Sequence, residues 1–334
     1  MDQDRSSSDP GGGESSLPLH PGRLPDGQWM FDWFSPHEFT AHAFSRILFR
    51  KRSPFQEIEI LETRDHGRCL VLNSETQSYE KDEYIYHETL VHPAMALHPD
   101  PRRVLVVGGG EGATLREVLK HRTVTEGVMV ELDSLVVEAA RLHLDTFHAG
   151  AFEDPRTRLE IGDGRAYLEE GKEAFDVIFL DINNPLEGSP SQRLFTREFY
   201  TAASRRLAPG GLLVVQAGAA TPLNLTCPVT IYQTLKSVLG RCFPVLSFVP
   251  SFASEWTFVV GGEGLGEPLD LPAEVVDQRL ALRLTSPLRF YDGHMHQRMF
   301  RLPRYLREAL GRPHPLSQDG QLLSEQFPGC SLPG

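Results

Sequence analysis

The chain is poor in cysteine, in positive charge and in long apolar runs, and each shortage removes a class of function. Four cysteines in 334 residues (Cys69, Cys227, Cys242 and Cys330) stand far apart, with no C-x-x-C pair. That spacing argues against a disulfide framework or a cysteine metal site, and makes a reducing, cytoplasmic setting the expectation. No apolar run reaches the ~18 residues that a membrane span needs. The first residues hold Asp2 and Asp4 in a Ser/Gly/Pro cluster and lack the apolar core of a secretory signal. Lysine and arginine number 33 against 45 aspartates and glutamates, a formal charge of -12. This balance argues against a nucleic-acid partner and suits a polycationic ligand. An acidic surface also serves solubility, and charge alone does not separate the two.

What is present centres on one stretch. Val104-Leu105-Val106-Val107 is aliphatic at every position and reads as a strand buried on both faces. Gly108, Gly109 and Gly110 follow, and then Leu115, Val118 and Leu119 fall at helical spacing. Strand, glycine turn and helix form the nucleotide-binding start of a doubly wound sheet. The turn is not a dinucleotide fingerprint, because Gly108, Gly110 and Gly112 give G-x-G-x-G where a pyrophosphate site needs G-x-G-x-x-G. Glu111 sits inside the turn, where its charge repels phosphate and suits a cation. An adenosyl group attached to a sulfonium with an amine tail fits that pattern. The plain alternative is a glycine turn that only packs a helix on a strand.

In chain order, residues 1–28 are rich in Ser, Gly, Pro and Asp and are expected to be disordered. Residues 29–80 read as a small antiparallel β domain. It opens on the aromatics Trp29, Phe31, Trp33 and Phe34, and Glu57-Ile58-Glu59-Ile60-Leu61-Glu62 nearly alternates. A helix is expected from Asp82-Glu83-Tyr84-Ile85-Tyr86-His87-Glu88, with acids first and Leu90, Val91 and Met95 after them. Residues 81–312 read as a Rossmann-like catalytic domain with further strands at 128–131, 158–161, 176–180 and 212–216. Alternation with helical stretches such as 135–144 argues for a parallel α/β sheet. Leu207-Ala208-Pro209-Gly210-Gly211 predicts a sharp turn before the fifth strand. Residues 245–249 and 256–260 predict an antiparallel pair, an ending typical of adenosylmethionine-type sheets. Residues 313–334 are again Pro/Ser/Gly-rich and are expected to be flexible.

Ligands of such sheets bind at the carboxyl ends of the strands. Glu111, Glu131, Asp163 and Asp181 fall there, with Gln216 on the fifth strand. Glu131, 21 residues after Gly110, can accept both ribose hydroxyls; the alternative is a solvated strand end. Asp163, followed by Gly164, can take an adenine amino group. Asp181, in Asp181-Ile182-Asn183-Asn184-Pro185, faces the reacting end of the ligand, unless it only caps a turn. His87 is as compatible with a packed core histidine as with a site residue.

These residues resemble the polyamine aminopropyltransferases, the spermidine synthase family, from about Trp33 to Arg301. The matching motifs are Phe55-Gln56-Glu57-Ile58, the run from Asp82 to Glu88, Val107-Gly108-Gly109-Gly110-Glu111-Gly112 and Glu131-Leu132-Asp133. Gly162-Asp163-Gly164, Phe175-Asp176-Val177-Ile178, Leu194-Phe195 and Phe199-Tyr200 extend them. The resemblance implies a small β domain joined to an adenosylmethionine-type α/β domain. It also implies transfer of an aminopropyl group from decarboxylated S-adenosylmethionine to an amine, releasing methylthioadenosine. That donor is a co-substrate; no cofactor is permanently bound and no metal is expected. By resemblance, Gln56, Glu131, Asp163, Gly164 and Pro190 hold the nucleoside beside the Gly108 and Gly110 turn. His87 and Glu111 hold the aminopropyl or polyamine cations, and Tyr86, Gln216 and Trp33 line the acceptor channel. Asp181 is the proton acceptor, and residues 185–200 form the loop that closes the site. The expected partners are a small-molecule amine and further copies of the chain, as a homodimer or homotetramer.

Three positions depart from the family pattern. Asn184 stands where a second Asp is usual, which weakens the second anchor of the acceptor. Phe252 replaces a Tyr in the late loop, and Asn73-Ser74 replaces an Asp-Gly turn. Glu111 in place of the commoner Asp, Pro185-Leu186-Glu187-Gly188 and Gln216-Ala217-Gly218 are similar to the thermospermine synthase subgroup, whose acceptor is spermidine. Agmatine and putrescine remain possible acceptors. The competing readings are a methyltransferase using intact adenosylmethionine and a non-catalytic polyamine-binding family member. Asn184-Pro185 is similar to the start of the Asn-Pro-Pro-Tyr motif of amino-methylating enzymes, but Leu186 breaks it. Glu111 would also oppose the carboxylate of the intact donor.

Overall fold

A computed structural model describes residues 24, 26–35 and 37–324; the expected disordered tail lies outside the described residues as far as 23, and strand begins at Gln28. Five strands form the N-terminal sheet: β1 (Gln28–Ser35), β2 (Glu38–Arg52), β3 (Glu57–Thr63), β4 (Arg68–Leu72) and β5 (Glu75–Tyr79). Each pairs antiparallel with the next, in the order β1-β2-β3-β4-β5. The outer strands approach each other, because Asp32 on β1 accepts hydrogen bonds from the amide (3.3 Å) and the hydroxyl of Thr76 on β5. The sheet is therefore curled, with Met30, Leu61, Cys69, Val71 and Tyr79 buried inside it.

Helix α1 (Glu83–Leu97) leads into the larger unit. There β6 (Arg103–Gly108), α2 (Ala113–Leu119), β7 (Glu126–Glu131), α3 (Ser134–His143), α4 (Asp145–His148), β8 (Thr157–Ile161), α5 (Gly164–Glu170), β9 (Phe175–Asp181), α6 (Arg197–Ser204), β10 (Leu207–Ala219) and α7 (Thr226–Leu239) alternate. Strands β11 (Cys242–Val249) and β12 (Ser254–Gly261) and helices α8 (Ala273–Arg283), α9 (Gly293–Met299) and α10 (Arg304–Leu310) complete it. The sheet order is β11-β12-β10-β9-β6-β7-β8, parallel from β10 to β8, with β12 antiparallel to β10 and β11 antiparallel to β12. This is the adenosylmethionine-type ending that residues 245–260 predict.

Chain order reverses between β6 and β9, which makes their carboxyl ends the crevice where ligands bind in such sheets. Val104, Leu105, Val106 and Val107 are at most 2% exposed, so β6 is buried on both faces. Each such side chain contributes about 1.5–3 kcal/mol of burial. Helix α1 packs against α2 and the sheet and is buried on nearly every residue, including Tyr86 and His87.

Two sequence expectations differ from the structure. Residues 207–211 are not a turn ahead of a strand but an irregularity inside β10, whose pairing with β9 moves from Leu207↔Phe175 to Leu212↔Val177. The stretch after residue 312 is docked at least to residue 323. Asp319 is ion-paired with Arg165, and Leu323 is 7% exposed against the core. A few long-range contacts outweigh a composition that favours flexibility.

Candidate active site

The β6–β9 register sets Gly108 directly opposite Asp181. Gly108 has φ +82°, and a Cβ there would lie 2.1 Å from the Asp181 carbonyl oxygen, so only glycine fits the approach. Gly109 N donates to that carbonyl at 2.8 Å. The Asp181 carboxylate is gripped on both oxygens: Tyr86 Oη donates to Oδ1 at 2.8 Å and Thr114 Oγ1 to Oδ2 at 2.6 Å. Burial raises its pKa, and the negative charge of Glu111 raises it further.

Glu111 is buried at 8% exposure in the turn after β6 and is held by charge. His87 Nε2 stands 3.4 Å from its Oε1, and Ser78 Oγ donates to the same oxygen at 3.3 Å. On its other side, His87 Nδ1 meets Glu83 Oε2 at 2.8 Å, and Arg116 grips Glu83 with Nη1 at 3.0 Å and Nη2 at 2.8 Å. Burial works against a charged His87, but the two carboxylates outweigh it and raise its pKa to about 10. Burial likewise works to raise Glu111, but the imidazolium outweighs it and leaves the carboxyl below its ordinary value. Two buried carboxylates in one site thus have opposite electrostatics.

His87 is the expected site residue that does not reach the cavity; at 1% exposure it supports Glu111 from behind and, being a cation, does not hold one. The other expected residues all line a single cavity of about 1140 Å³. That is larger than most pockets for one small molecule.

At one end, Glu131 Oε1 accepts the Asp133 amide at 2.9 Å, and a Cβ on Gly110 would lie 3.1 Å from its Oε2. Burial raises the Glu131 pKa to about 7. Gln56, from the N-terminal domain, donates to Asp133 Oδ2 at 3.1 Å. Asp163 caps α5, with Oδ1 accepting the Arg165 amide at 2.8 Å. Gly164 starts that helix, and Pro190 starts a short 3-10 turn, Pro190–Leu194.

At the other end, Gln216 Nε2 donates to Ile182 O at 2.7 Å and to Asn184 Oδ1 at 3.3 Å. Trp33 stands at the mouth, 41% exposed, its ring centroid 4.9 Å from that of Phe39. Phe252 packs on Trp256 at 4.8 Å and on Tyr86 at 6.2 Å. Among the described residues, no group of histidine, cysteine and acidic side chains could hold a metal ion.

Residue patterns alone assign no site role to Thr114, Glu83, Arg116, Asp133 or Asp32. Glu83 could have been found, since it lies four residues before His87 on the same helix face. Glu83 and Asp133 also lie within the family-like runs 82–88 and Glu131-Leu132-Asp133. Thr114 and Arg116 come from α2, which packs on α1, and reach the site through their side-chain bonds to Asp181 and Glu83.

Fold and site together define an α/β transferase of the adenosylmethionine type, with the acidic strand-end residues Glu111, Glu131, Asp163 and Asp181 lining one cavity. The family model described as spermine/spermidine synthase domain matches residues 83–266, and the one described as spermidine synthase tetramerisation domain matches residues 28–80. A polyamine aminopropyltransferase of Sulfolobus acidocaldarius is 40% identical over 84% of this chain and 93% of its own length. Polyamine aminopropyltransferase 2 of Hyperthermus butylicus is 42% identical over 89% of this chain and 96% of its own. Among solved structures, a spermidine synthase in complex with the transition state analogue AdoDATO superposes with a TM-score of 0.79 at 31% identity, covering 86% of this chain and 97% of that one. The spermidine synthase of Thermotoga maritima gives 0.77, also at 31% identity, over 86% and 96%. The chain belongs to the spermidine synthase family.

Proposed function

We propose that this enzyme transfers the aminopropyl group of decarboxylated S-adenosylmethionine to a di- or polyamine and releases methylthioadenosine. The observation that carries this reading is the pair of buried carboxylates with opposite electrostatics. Glu111, kept ionised by His87, holds the ammonium of the aminopropyl arm. Asp181, with its pKa raised, is the proton acceptor. Glu131 holds the ribose, Asp163 the adenine amino group, and Gln56, Gly164 and Pro190 the remaining faces of the nucleoside beside Gly108 and Gly110. Tyr86, Trp33, Asn184 and Gln216 line the path of the acceptor.

An amine acceptor is protonated in water, with a pKa near ~10. At Asp181 its ammonium gives up a proton to the carboxylate. The freed lone pair then attacks the methylene next to the sulfonium. The carbon–sulfur bond breaks, its electrons return to sulfur, and the neutral thioether leaves as methylthioadenosine. Holding two mutually repelling cations in line is the larger part of the task, and the acidic cavity supports it. Incubation with decarboxylated donor and a panel of amines, with products identified by mass, tests the reading. No adduct with any amine would sink it.

Glu131 gives a pH prediction. Its carboxyl titrates near pH 7 in the free site, and only the ionised form accepts both ribose hydroxyls. Methylthioadenosine affinity is expected to rise with pH between about 6 and 8 and then level off. In Glu131→Gln it should be weaker and flat across that range. Calorimetry at several pH values checks this, and a flat profile in the parent would remove Glu131 from ribose binding.

Asn184 bears on the acceptor. Its carboxamide oxygen pairs with the neutral Gln216 amide, so no charge stands at that point of the channel. Asp32, Glu75 and Glu187 lie elsewhere on the wall. This favours an acceptor anchored beyond Asn184: spermidine, giving thermospermine, or agmatine, ahead of putrescine. Asn184→Asp is expected to lower the KM for putrescine by roughly 10-fold or more if the contact is direct, with a smaller change in kcat. Kinetics on the three amines decide it; a parent that already prefers putrescine and a substitution without effect would place Asn184 outside the acceptor site.

Assembly into a homodimer or homotetramer through residues 28–80 belongs to the same reading. It is supported by the description of the matching tetramerisation domain and by the exposed Phe31, Phe39 and Ile47 on β1 and β2. No helix among the described residues is long and apolar enough to cross a membrane. A cytoplasmic setting is supported by the buried free thiols Cys69, Cys227 and Cys242.

A further inference from the structure

Residues 317–323 line no part of the cavity but bond to Arg165 and Gln192, on the elements that carry Gly164 and Pro190 of its wall. The Asp319 carboxylate takes two bonds from the Arg165 guanidinium, Nη1 to Oδ1 at 2.7 Å and Nη2 to Oδ2 at 2.6 Å. The same carboxylate accepts Thr196 Oγ1 at 2.8 Å, and the Asp319 amide donates to Glu198 Oε2 at 3.0 Å. Arg165 follows Asp163 and Gly164 directly, lines the cavity, and donates to the Arg193 carbonyl at 3.1 Å. Four residues on, the Leu323 carbonyl accepts Gln192 Nε2 at 3.0 Å, and Gln192 Oε1 accepts the Gly188 amide at 2.8 Å. Gln192 is 7% exposed and turns away from the cavity that its neighbours Pro190 and Ser191 line. The segment is itself anchored: Ser317 O accepts the Arg197 amide at 2.9 Å, and Ser317 Oγ accepts the Leu323 amide at 3.0 Å.

One short segment thus grips both walls around the proposed adenine position. It holds the start of α5 through Arg165 and the loop carrying Pro190 through Gln192. A two-point arginine–carboxylate pair fixes the plane of the guanidinium as well as its position. The 3-10 turn Pro190–Leu194 has few bonds of its own, as such turns do, and Gln192 supplies it with a tie to the body of the protein. Neither Asp319 nor Gln192 lines the acceptor end.

We propose that residues 317–323 act as a clasp that sets affinity for the donor nucleoside, with Asp319 and Gln192 as positioning residues. This rests on the aminopropyltransferase reading, since it assigns the gripped walls to the nucleoside. Asp319→Ala and Gln192→Leu are each expected to weaken methylthioadenosine binding and raise the donor KM by about tenfold. The KM for the amine should stay within about twofold, and kcat should move less than the donor KM. Asp319→Glu, which keeps the charge pair, should recover most of the loss.

The measurements are methylthioadenosine Kd by calorimetry, both KM values, kcat and the melting temperature of each variant. If Asp319→Ala does not fold, Gln192→Leu decides the matter by the same readouts. A folded variant with unchanged methylthioadenosine Kd overturns the clasp, and so does a loss spread evenly over both KM values and kcat. A parent that does not bind methylthioadenosine at all sinks the functional reading itself. A parent that binds it as tightly as both variants sinks the clasp alone.

Discussion

Asp181→Asn is expected to lower kcat by about 10²–10⁴-fold while leaving methylthioadenosine affinity within about threefold. The carboxamide has nearly the shape of the carboxylate. Tyr86 and Thr114 hydroxyls can accept from its NH₂ as well as donate to its oxygen, so the side chain should stay in place. What is lost is the ability to take the proton of the incoming ammonium. Stability separates this from a folding defect. Burial and the neighbouring Glu111 raise the Asp181 pKa in the folded protein. The folded state therefore gains stability from protonation at low pH and loses it as pH rises through the raised value. Removing the charge should leave the melting temperature at pH 7 equal to the parent or higher. Turnover within a few-fold of the parent would take Asp181 out of the mechanism.

Glu111→Gln should separate the two halves of the donor. Methylthioadenosine has no aminopropyl arm, so its affinity should hardly change. The KM for the decarboxylated donor should rise by roughly 10- to 150-fold, which corresponds to about 1.5–3 kcal/mol for a lost charge-assisted hydrogen bond. The variant also leaves the His87 imidazolium facing a neutral partner, so its pKa should fall from about 10. Titration of the His87 ring by NMR in parent and variant reads that fall. Equal donor KM values would show that the ammonium sits elsewhere.

The sheet and its acids are legible in the sequence because parallel strands impose a simple rule. A run buried on both faces is continuously apolar, and its carboxyl end opens on the ligand crevice. Val104 to Val107 and Asp176 to Leu180 therefore announce both strands and the positions of Glu111 and Asp181. The reach of a side chain across the fold has no such period. The resemblance implies that His87 holds a cation, yet the carboxylates of Glu83 and Glu111 on its two sides outweigh burial and favour its own charged form. That outcome depends on α1 lying against α2, which brings in Arg116. The C-terminal stretch shows the opposite case. Its composition favours flexibility, but Asp319 and Leu323 are two residues with strong partners far away in the chain. The irregularity at residues 207–211 carries turn residues that serve a bulge inside a strand as well as a turn between elements.

Aminopropyl transfer and methyl transfer differ in which bond to sulfur is broken. The measurement is a side-by-side incubation with intact and decarboxylated S-adenosylmethionine in the presence of spermidine, agmatine and putrescine, with sulfur-containing and amine products identified by mass. The predicted result is turnover with the decarboxylated donor, one methylthioadenosine released for each amine extended by an aminopropyl unit, and no methylated amine from the intact donor. Methyl transfer from the intact donor, or binding of the decarboxylated donor without release of methylthioadenosine, would contradict it.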